Sequence, residues 1–281
     1  MNRLPFSKQV AVVTALVEGN SIRATSRMTG VAKGTILSLL EDVGTACAEF
    51  HNRTVRGIRS RRVQCDEIWQ FCYAKQKNVP AEKLGIFGYG DTWTWTAIDA
   101  DTKLVISYLV GTRDAGTGYE FMQDLADRLA NRVQLTTDGH RAYLVAVEGI
   151  FGSDIDYATL VKLYGVPPEA ETRYSPAQCI GAMAATITGR PDPKHISTSC
   201  VERQNLTMRM QMRRFTRLTN AFSKKVDNLR HAVALYAAHY NFCRIHQTLR
   251  VTPAMEAGLT DNLCTVEDIV RLVAGQVPNV A

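Results

Sequence analysis

The chain has 281 residues, of which 46% are hydrophobic and 21% charged, as expected for a globular protein with a sizeable core. Its formal net charge of +6 mildly favours an anionic partner. Seven cysteines form no C-x-x-C pair, which excludes a recognisable zinc ribbon or disulfide framework and indicates reduced thiols in the cytosol. No apolar run approaches the ~20 residues that span a bilayer, so we expect no membrane partner.

The N-terminal part carries three short helical patterns separated by turns. Residues 7–17 have an apolar stripe at helical spacing, Ser21 can cap a second helix, and Gly30 precedes a third helix over residues 31–43. This order predicts a helix-turn-helix domain over residues 1–48, whose last helix enters the major groove of DNA. The residues expected to face bases or phosphates are Lys33, Thr35 and Ser38. A small helical cap on the core is the alternative interpretation.

Composition divides the remainder of the chain. Residues 49–62 are arginine-rich and are predicted to form a basic linker, either simply solvated or in contact with DNA. Residues 63–260 are predicted to form the main domain, with a proline-punctuated insertion at about residues 151–197, irregular over residues 167–193. Residues 261–281 are expected to be a peripheral C-terminal tail.

The main domain begins with three strand patterns and a helix. The strands are expected at residues 63–75, 92–98 and 104–110, and the helix at residues 117–130. A fourth strand over residues 133–137 ends in an acid. This order predicts an α/β fold with a ribonuclease-H-like mixed sheet flanked by helices, in which the first and fourth strands are neighbours.

Three acidic residues occupy different settings along the chain. Asp66 lies in the first strand, Asp138 follows the fourth, and Glu202 opens a helical stretch. Their carboxylates are hard oxygen ligands that suit Mg²⁺, and two such ions about 4 Å apart promote phosphodiester chemistry. We therefore predict that Asp66, Asp138 and Glu202 are metal ligands and catalytic residues, if the fold brings them together. Glu67 alternates to the opposite face of the strand and is predicted to be an outer polar residue.

The helix that follows Glu202 has an unusual charge balance. Residues 203–225 carry five arginines, two lysines and no acid. Asn205 and Arg209 share a helix face with Glu202, and Arg209 lies about 10 Å further along the axis. Phosphate contact is therefore favoured over a solvated, charge-paired surface. The predicted DNA contacts of this segment are Arg203, Asn205, Arg209 and Arg213.

Several ordered blocks between residues 60 and 258 resemble a known family. They are Asp66-Glu-Ile-Trp69, Thr137-Asp-Gly-His-Arg-Ala-Tyr143, Val201-Glu-Arg-Gln-Asn205 with Arg209, Phe222-Ser-Lys224, Tyr240-Asn241, His246-Gln-Thr-Leu249 and Thr252-Pro-Ala254. The blocks resemble the DDE transposases of bacterial insertion sequences, most closely those of the insertion-sequence-one type. The resemblance implies a ribonuclease-H-like catalytic domain, Mg²⁺ dependence, the triad Asp66, Asp138 and Glu202, and a basic role for Arg209.

The resemblance leads to an expected function and leaves alternatives. We expect a DNA transposase that uses two Mg²⁺ ions, or Mn²⁺ in their place, to cleave element ends and transfer the strands. Its expected partners are double-stranded DNA and further copies of itself, with no small-molecule substrate, in the cytoplasm or on the nucleoid. The cysteine-based zinc finger common in the group is missing here. A domesticated DNA-binding regulator and a structure-specific nuclease are the alternatives.

Overall fold

The computed structural model describes residues 4–165, 179–216 and 220–278. The strands are β1 Arg62–Cys72, β2 Gly90–Asp99, β3 Val105–Gly111, β4 Gln134–Thr137, β5 Asp156–Tyr164 and β6 Cys179–Thr188. The α-helices are α1 Phe6–Val17, α2 Ile22–Thr29, α3 Lys33–Thr54, α4 Ala115–Ala126, α5 Arg141–Phe151, α6 Ser199–Gln211, α7 Val226–Ala238, α8 Pro253–Glu256 and α9 Val266–Leu272. Among the described residues, no helix combines the length and apolarity needed to cross a bilayer.

The six strands form one mixed sheet in the order β3-β2-β1-β4-β5-β6. The hairpin strands β1, β2 and β3 pair antiparallel, whereas β4 lies parallel to β1 and β5 lies parallel to β4. The fourth strand is therefore inserted beside the first, as a ribonuclease-H-like sheet requires. This topology confirms the predicted α/β fold with a mixed sheet flanked by helices.

Alternation along β1 separates two packing faces. Val63 and Cys65 are fully buried in the core that includes α4 and α5, whereas Ile68 is fully buried in a second core with α6 and α7. Because side chains alternate with a period of two, odd-numbered positions such as 63 and 65 face the first layer and even-numbered positions face the second. Any even-numbered polar residue on β1 is therefore directed towards α6.

The third helix is longer than predicted. Its inward positions agree with the sequence pattern, since Ile36, Leu39, Leu40 and Val43 are all buried. The helix continues to Thr54 instead of ending near residue 43, because the buried residues Cys47 and Phe50 prolong the apolar stripe. It therefore crosses the predicted boundary at residue 48 and enters the predicted linker, and the division into domains stays a prediction.

Helix α3 approaches α7 closely through a glycine. A Cβ atom added to Gly44 would lie 2.4 Å from the Cβ of His231, so no larger residue fits without moving the helices apart. Further along α3, the ring Nε2 of His51 lies 3.2 Å from the carbonyl oxygen of Val105 in β3. Burial and the nearby charge of Arg128 lower the pKa of His51 to about 3, so this contact is made by a neutral imidazole.

A buried amide joins the C-terminal region to the sheet. Asn241 lies in the π-helical segment His239–Cys243 that follows α7, and it is fully buried. Its Oδ1 accepts from the backbone N–H of Val105 at 3.0 Å, and its Nδ2 donates to the carbonyl oxygen of Val105 at 2.9 Å. The register between β2 and β3 shifts at this point, so the amide satisfies backbone groups that the neighbouring strand leaves free.

The irregular insertion predicted over residues 167–193 is wrong for residues 179–188. These residues form β6, which pairs antiparallel with β5 as the edge strand of the sheet. Gly181 and several alanines make the strand pattern weak in the sequence, and the strand is largely exposed, so no alternation of apolar and polar residues marks it. Residues 166–178 of the predicted insertion lie outside the described residues.

Candidate active site

The parallel pairing of β1 and β4 brings the first two predicted acids together. Gln64 is paired with Thr136, and Asp66 and Asp138 each lie two residues further on. Two residues are one period of side-chain alternation, so both carboxylates are on the α6 face of the sheet. Strand β4 ends at Thr137, while β1 continues to Cys72, where its next bridge on this side among the described residues is to Ser223. The acids therefore lie beside an open edge where a substrate has access.

Gln64 fixes the start of α6 against the same face. Its side-chain Oε1 accepts from the backbone N–H groups of Cys200 at 2.8 Å and Val201 at 3.1 Å. The first N–H groups of a helix have no partner within the helix, so a remote acceptor both satisfies them and determines where the helix begins. Glu202 is in this first turn, and it is therefore positioned by a residue two places before Asp66.

The carboxylate of Glu202 is held by two donors. The Nζ of Lys162 on β5 donates to its Oε2, and the hydroxyl of Thr198 donates to its Oε1 at 2.6 Å. The hydrogen bond to Glu202 raises the pKa of Lys162, which keeps the ammonium charged. Glu202, Asp66 and Asp138 all line one cleft of about 660 Å³. The structure thus brings the three predicted acids into one cavity.

The environment of Glu67 differs from the one predicted from the sequence. It was predicted to be an outer polar residue, but its side chain is only 1% exposed. Tyr143 donates its hydroxyl to Oε2 at 3.0 Å, and the Nε of Arg113 donates to Oε1 at 2.5 Å. The opposite sheet face is covered by α4 and α5, so the alternation was right and the assumption that this face meets solvent was wrong.

Four acids consequently line the cleft, and three of them form a compact cluster. Oxygen atoms of Asp66, Glu67 and Asp138 lie within 4.8 Å of one another. A guanidinium nitrogen of Arg113 lies 3.8 Å from an Oδ atom of Asp138, so one arginine contacts two of the acids. The guanidinium also lies over the ring of Trp93, with 4.7 Å between its carbon and the ring centre. The sequence analysis did not identify Arg113, Lys162 or Gln64.

The pKa of Asp66 reflects its burial and the negative charge around it. Burial, followed by the charges of Glu67, Asp138 and Glu202, raises the pKa of Asp66 to about 7. The Nδ2 of Asn205 donates to an Oδ atom of Asp66 at 2.8 Å, which is too little to compensate for the nearby charges. A cluster of carboxylates that Arg113 neutralises only in part, with one side open to a cleft, has the donor set and the charge that fit a hard divalent cation.

The predicted DNA-contacting residues occupy different places. Those at the start of α3 are exposed, as are two of the arginines in or after α6. Asn205 is only 8% exposed and contacts Asp66, so its amide faces the acids in this structure. Arg209 lines the cleft that holds the acids. The exposed set is Lys33, Thr35, Ser38, Arg203 and Arg213. Their DNA contacts stay predictions.

Sequence comparison finds no match, and the similar solved structures include transposases. The sequence matches no protein-family model, and no curated protein matches it closely. The piggyBac transposase synaptic complex with hairpin DNA is 10% identical, with a TM-score of 0.45 over 95% of this chain and 69% of that chain. The Mos1 strand transfer complex is 15% identical, with a TM-score of 0.23 over 56% of this chain and 58% of that chain.

A Mos1 mariner paired-end complex with Mn is 13% identical to this chain, with a TM-score of 0.22. The match covers 54% of this chain and 57% of that chain, so less than two thirds of either Mos1 chain is spanned. All three TM-scores are below 0.5, so these similarities concern only the general shape of the chain. The fold assignment rests on the strand order of this sheet, and the functional inference rests on the geometry of its cleft.

Proposed function

We propose that this protein is a DNA transposase of the DDE type that cleaves phosphodiester bonds at the ends of a bacterial insertion sequence and joins the ends to target DNA. The observation that carries the proposal is the parallel register of β1 and β4, which sets Asp66 beside Asp138 in the cleft that Glu202 also lines. A metal-dependent nucleotidyl transfer needs such convergent carboxylates at an open sheet edge.

Asp66, Asp138 and Glu202 would hold the divalent ions, Mg²⁺ or Mn²⁺. Bound ions would align the attacking oxygen with the leaving oxygen and neutralise charge on the phosphate. The protein positions its own groups for this task. Asn205 orients the Asp66 carboxylate, Gln64 fixes the turn that carries Glu202, and Lys162 neutralises Glu202 while no ion is bound.

The cations around the cleft would orient the DNA. Arg209 lines the cleft on the α6 side and is placed to contact the phosphate backbone that enters it. We propose that α2 and α3 act as a helix-turn-helix, in which Lys33, Thr35 and Ser38 contact an element end. Two ends must be joined in one reaction, so the active species would be a homodimer or a larger assembly.

The test is a reaction with the DNA that flanks the coding sequence. Purified protein is incubated with labelled flanking duplexes, a target plasmid and Mg²⁺ or Mn²⁺. Cleavage that leaves 3′-hydroxyls, followed by joined products, is the expected result. Cleavage without joined products would instead identify a structure-specific nuclease, and sequence-specific binding without cleavage would identify a regulator.

Asp138→Asn separates catalysis from binding. The substitution keeps the size of the side chain but removes a charged oxygen ligand, so cleavage should fall by at least 10²-fold, a typical loss for a positioned charge at a reacting phosphate. Binding of the duplex in EDTA should change little. Asp261→Asn, at an exposed position, is the matched control and should retain activity. Equal losses of binding and cleavage in Asp138→Asn would contradict the metal role.

A further inference from the structure

A second cavity lies between the N-terminal helices and the catalytic body. It has a volume of about 510 Å³ and is lined by residues from α1, α2, α3 and α7 and from the segment that follows α6. This volume is within the range of ligand-binding sites in proteins. None of the catalytic acids lines it, so the cavity is distinct from the candidate active site.

The charged side chains that line the second cavity are all positive among the described residues. Five of its lining residues are cations and, among the described lining residues, none is an aspartate or glutamate. The cations are Arg23, Lys33, Arg213, Arg214 and Lys224. None of the five forms an ion pair with a described carboxylate. Cations of a folded protein are usually mixed with acids, so a cavity lined by one sign of charge favours an anionic ligand.

Arg214 is the most informative of these residues. Its guanidinium donates to the hydroxyl of Ser223 at 2.6 Å, and burial lowers its pKa to about 10. Arg214 is only partly exposed, and a guanidinium withdrawn from water is costly without a counter-charge, which a single neutral hydroxyl does not supply. Its planar set of donors matches the oxygens of a phosphate, which provides both the charge and the acceptors.

The position of the cavity relates it to the catalytic cleft. Glu202 is in the first turn of α6, and Arg213 follows the last residue of this helix. The helix has 13 residues and is therefore about 20 Å long, which corresponds to roughly six nucleotides of one DNA strand. Lys33, the first residue of α3, lines the same cavity, so the N-terminal helices and the catalytic body meet there.

We propose that this cavity binds a backbone phosphate of the DNA substrate, roughly six nucleotides from the phosphate that reacts, and so fixes the N-terminal helices relative to the catalytic body. The inference rests on the proposed function for the identity of the DNA, but the phosphate site is independent of catalysis. A free nucleotide offers the same phosphate chemistry, and the experiment distinguishes the two sources.

The test measures binding of a fluorescein-labelled duplex to the full chain by anisotropy in EDTA over a series of NaCl concentrations. Arg214→Gln should weaken binding about fivefold near physiological salt, and the slope of log K against log salt should decrease by about one. Arg23→Gln combined with Lys224→Gln changes two exposed cations of the cavity and should reduce the slope by about two. This double variant keeps the test valid if Arg214→Gln does not fold. Thermal unfolding verifies the fold of each variant.

Arg271→Gln is the matched control, because it removes the same charge from a side chain that already pairs with Glu267 and Asp268. Pocket variants that bind DNA as this control does, with an unchanged salt slope, would overturn the proposal. In a second arm, dAMP is titrated calorimetrically. Binding of dAMP that Arg214→Gln abolishes, with unchanged DNA affinity, would also overturn the DNA assignment.

The two proposals fail in different ways. Cleavage is not measured in EDTA, so a protein that binds DNA through the cavity but never cleaves it would contradict only the transposase proposal. A protein that cleaves and joins DNA while the cavity variants behave as the control would contradict only the phosphate site.

Discussion

Replacing Asp66 by asparagine should make the metal-free protein more stable at neutral and alkaline pH. Burial and three neighbouring acids raise the pKa of Asp66 from 3.8 to about 7 in the folded state. The folded protein therefore holds this proton more tightly than the unfolded chain does. The stability linked to the proton is fully present below about pH 4 and is lost as pH rises through about 7.

The magnitude follows from the size of the pKa difference. Each pKa unit corresponds to 1.36 kcal/mol, so roughly three units give about 4 kcal/mol of destabilisation above pH 7. Water entry into the open cleft reduces this value, and a gain of about 2 to 4 kcal/mol is expected for Asp66→Asn at pH 8. For a chain of this length, the gain corresponds to a rise of roughly 3–7 °C in Tm.

The assay is thermal unfolding of wild type and Asp66→Asn in EDTA between pH 4 and 8, with Asp261→Asn as the exposed control. The difference between the proteins reports the removal of the Asp66 charge, together with its effect on the neighbouring acids, because the rest of the sequence is identical. Mg²⁺ should then raise the Tm of wild type more than that of Asp66→Asn. The reasoning is refuted if the difference in Tm is the same at pH 4.5 and pH 8, or if the variant is less stable at pH 8.

Three further substitutions test how the site is positioned. Gln64→Ala removes the acceptor for the first turn of α6, so the cleavage rate should fall by about 10²-fold. DNA binding measured by anisotropy should be nearly unchanged, and equal effects on cleavage and binding would contradict a positioning role. Lys162→Gln removes a cation that competes with metal ions for Glu202, so the Mn²⁺ concentration for half-maximal cleavage should fall. The fall should be no more than about fivefold, because both side chains are about one third exposed. A rise would instead assign Lys162 to substrate binding. Asn241→Ala leaves the buried backbone N–H of Val105 without its side-chain acceptor, while His51 still contacts the carbonyl oxygen. The free energy of unfolding should fall by about 1 to 3 kcal/mol in denaturant titrations, and a loss below about 0.5 kcal/mol would mean that water replaces the amide.

Cations next to the acids reduce the repulsion between the carboxylates in the cleft. Arg113 contacts Glu67 and Asp138, and Lys162 contacts Glu202, so each side of the cluster has a cation from a different strand or loop. Asp66 has only the neutral amide of Asn205 among its side-chain hydrogen-bond donors in the described residues. Burial, followed by the charges of the neighbouring acids, therefore raises the pKa of Asp66 with no cation in contact to oppose it among the described residues.

Local periodicity was sufficient for much of the fold. The buried positions of α3 and the order of three strands, a helix and a fourth strand follow from repeats of 3.6 and 2.0 residues. The same patterns placed Asp66 within a strand, Asp138 at a strand end and Glu202 in the first turn of a helix. These features depend on neighbours within a few residues, which the sequence states directly.

The sequence by itself determined the types of the elements up to residue 137, the opposite strand faces of Asp66 and Glu67, and the basic character of the segment after Glu202, because each depends on short-range spacing. Only the tertiary structure decided that Gln64 holds a helix 136 residues away, that Glu67 is buried, and that residues 179–188 are a sheet edge. Burial and hydrogen bonding at these positions depend on partners remote in the chain. Strand register and helix docking supply those partners, and no local pattern encodes them.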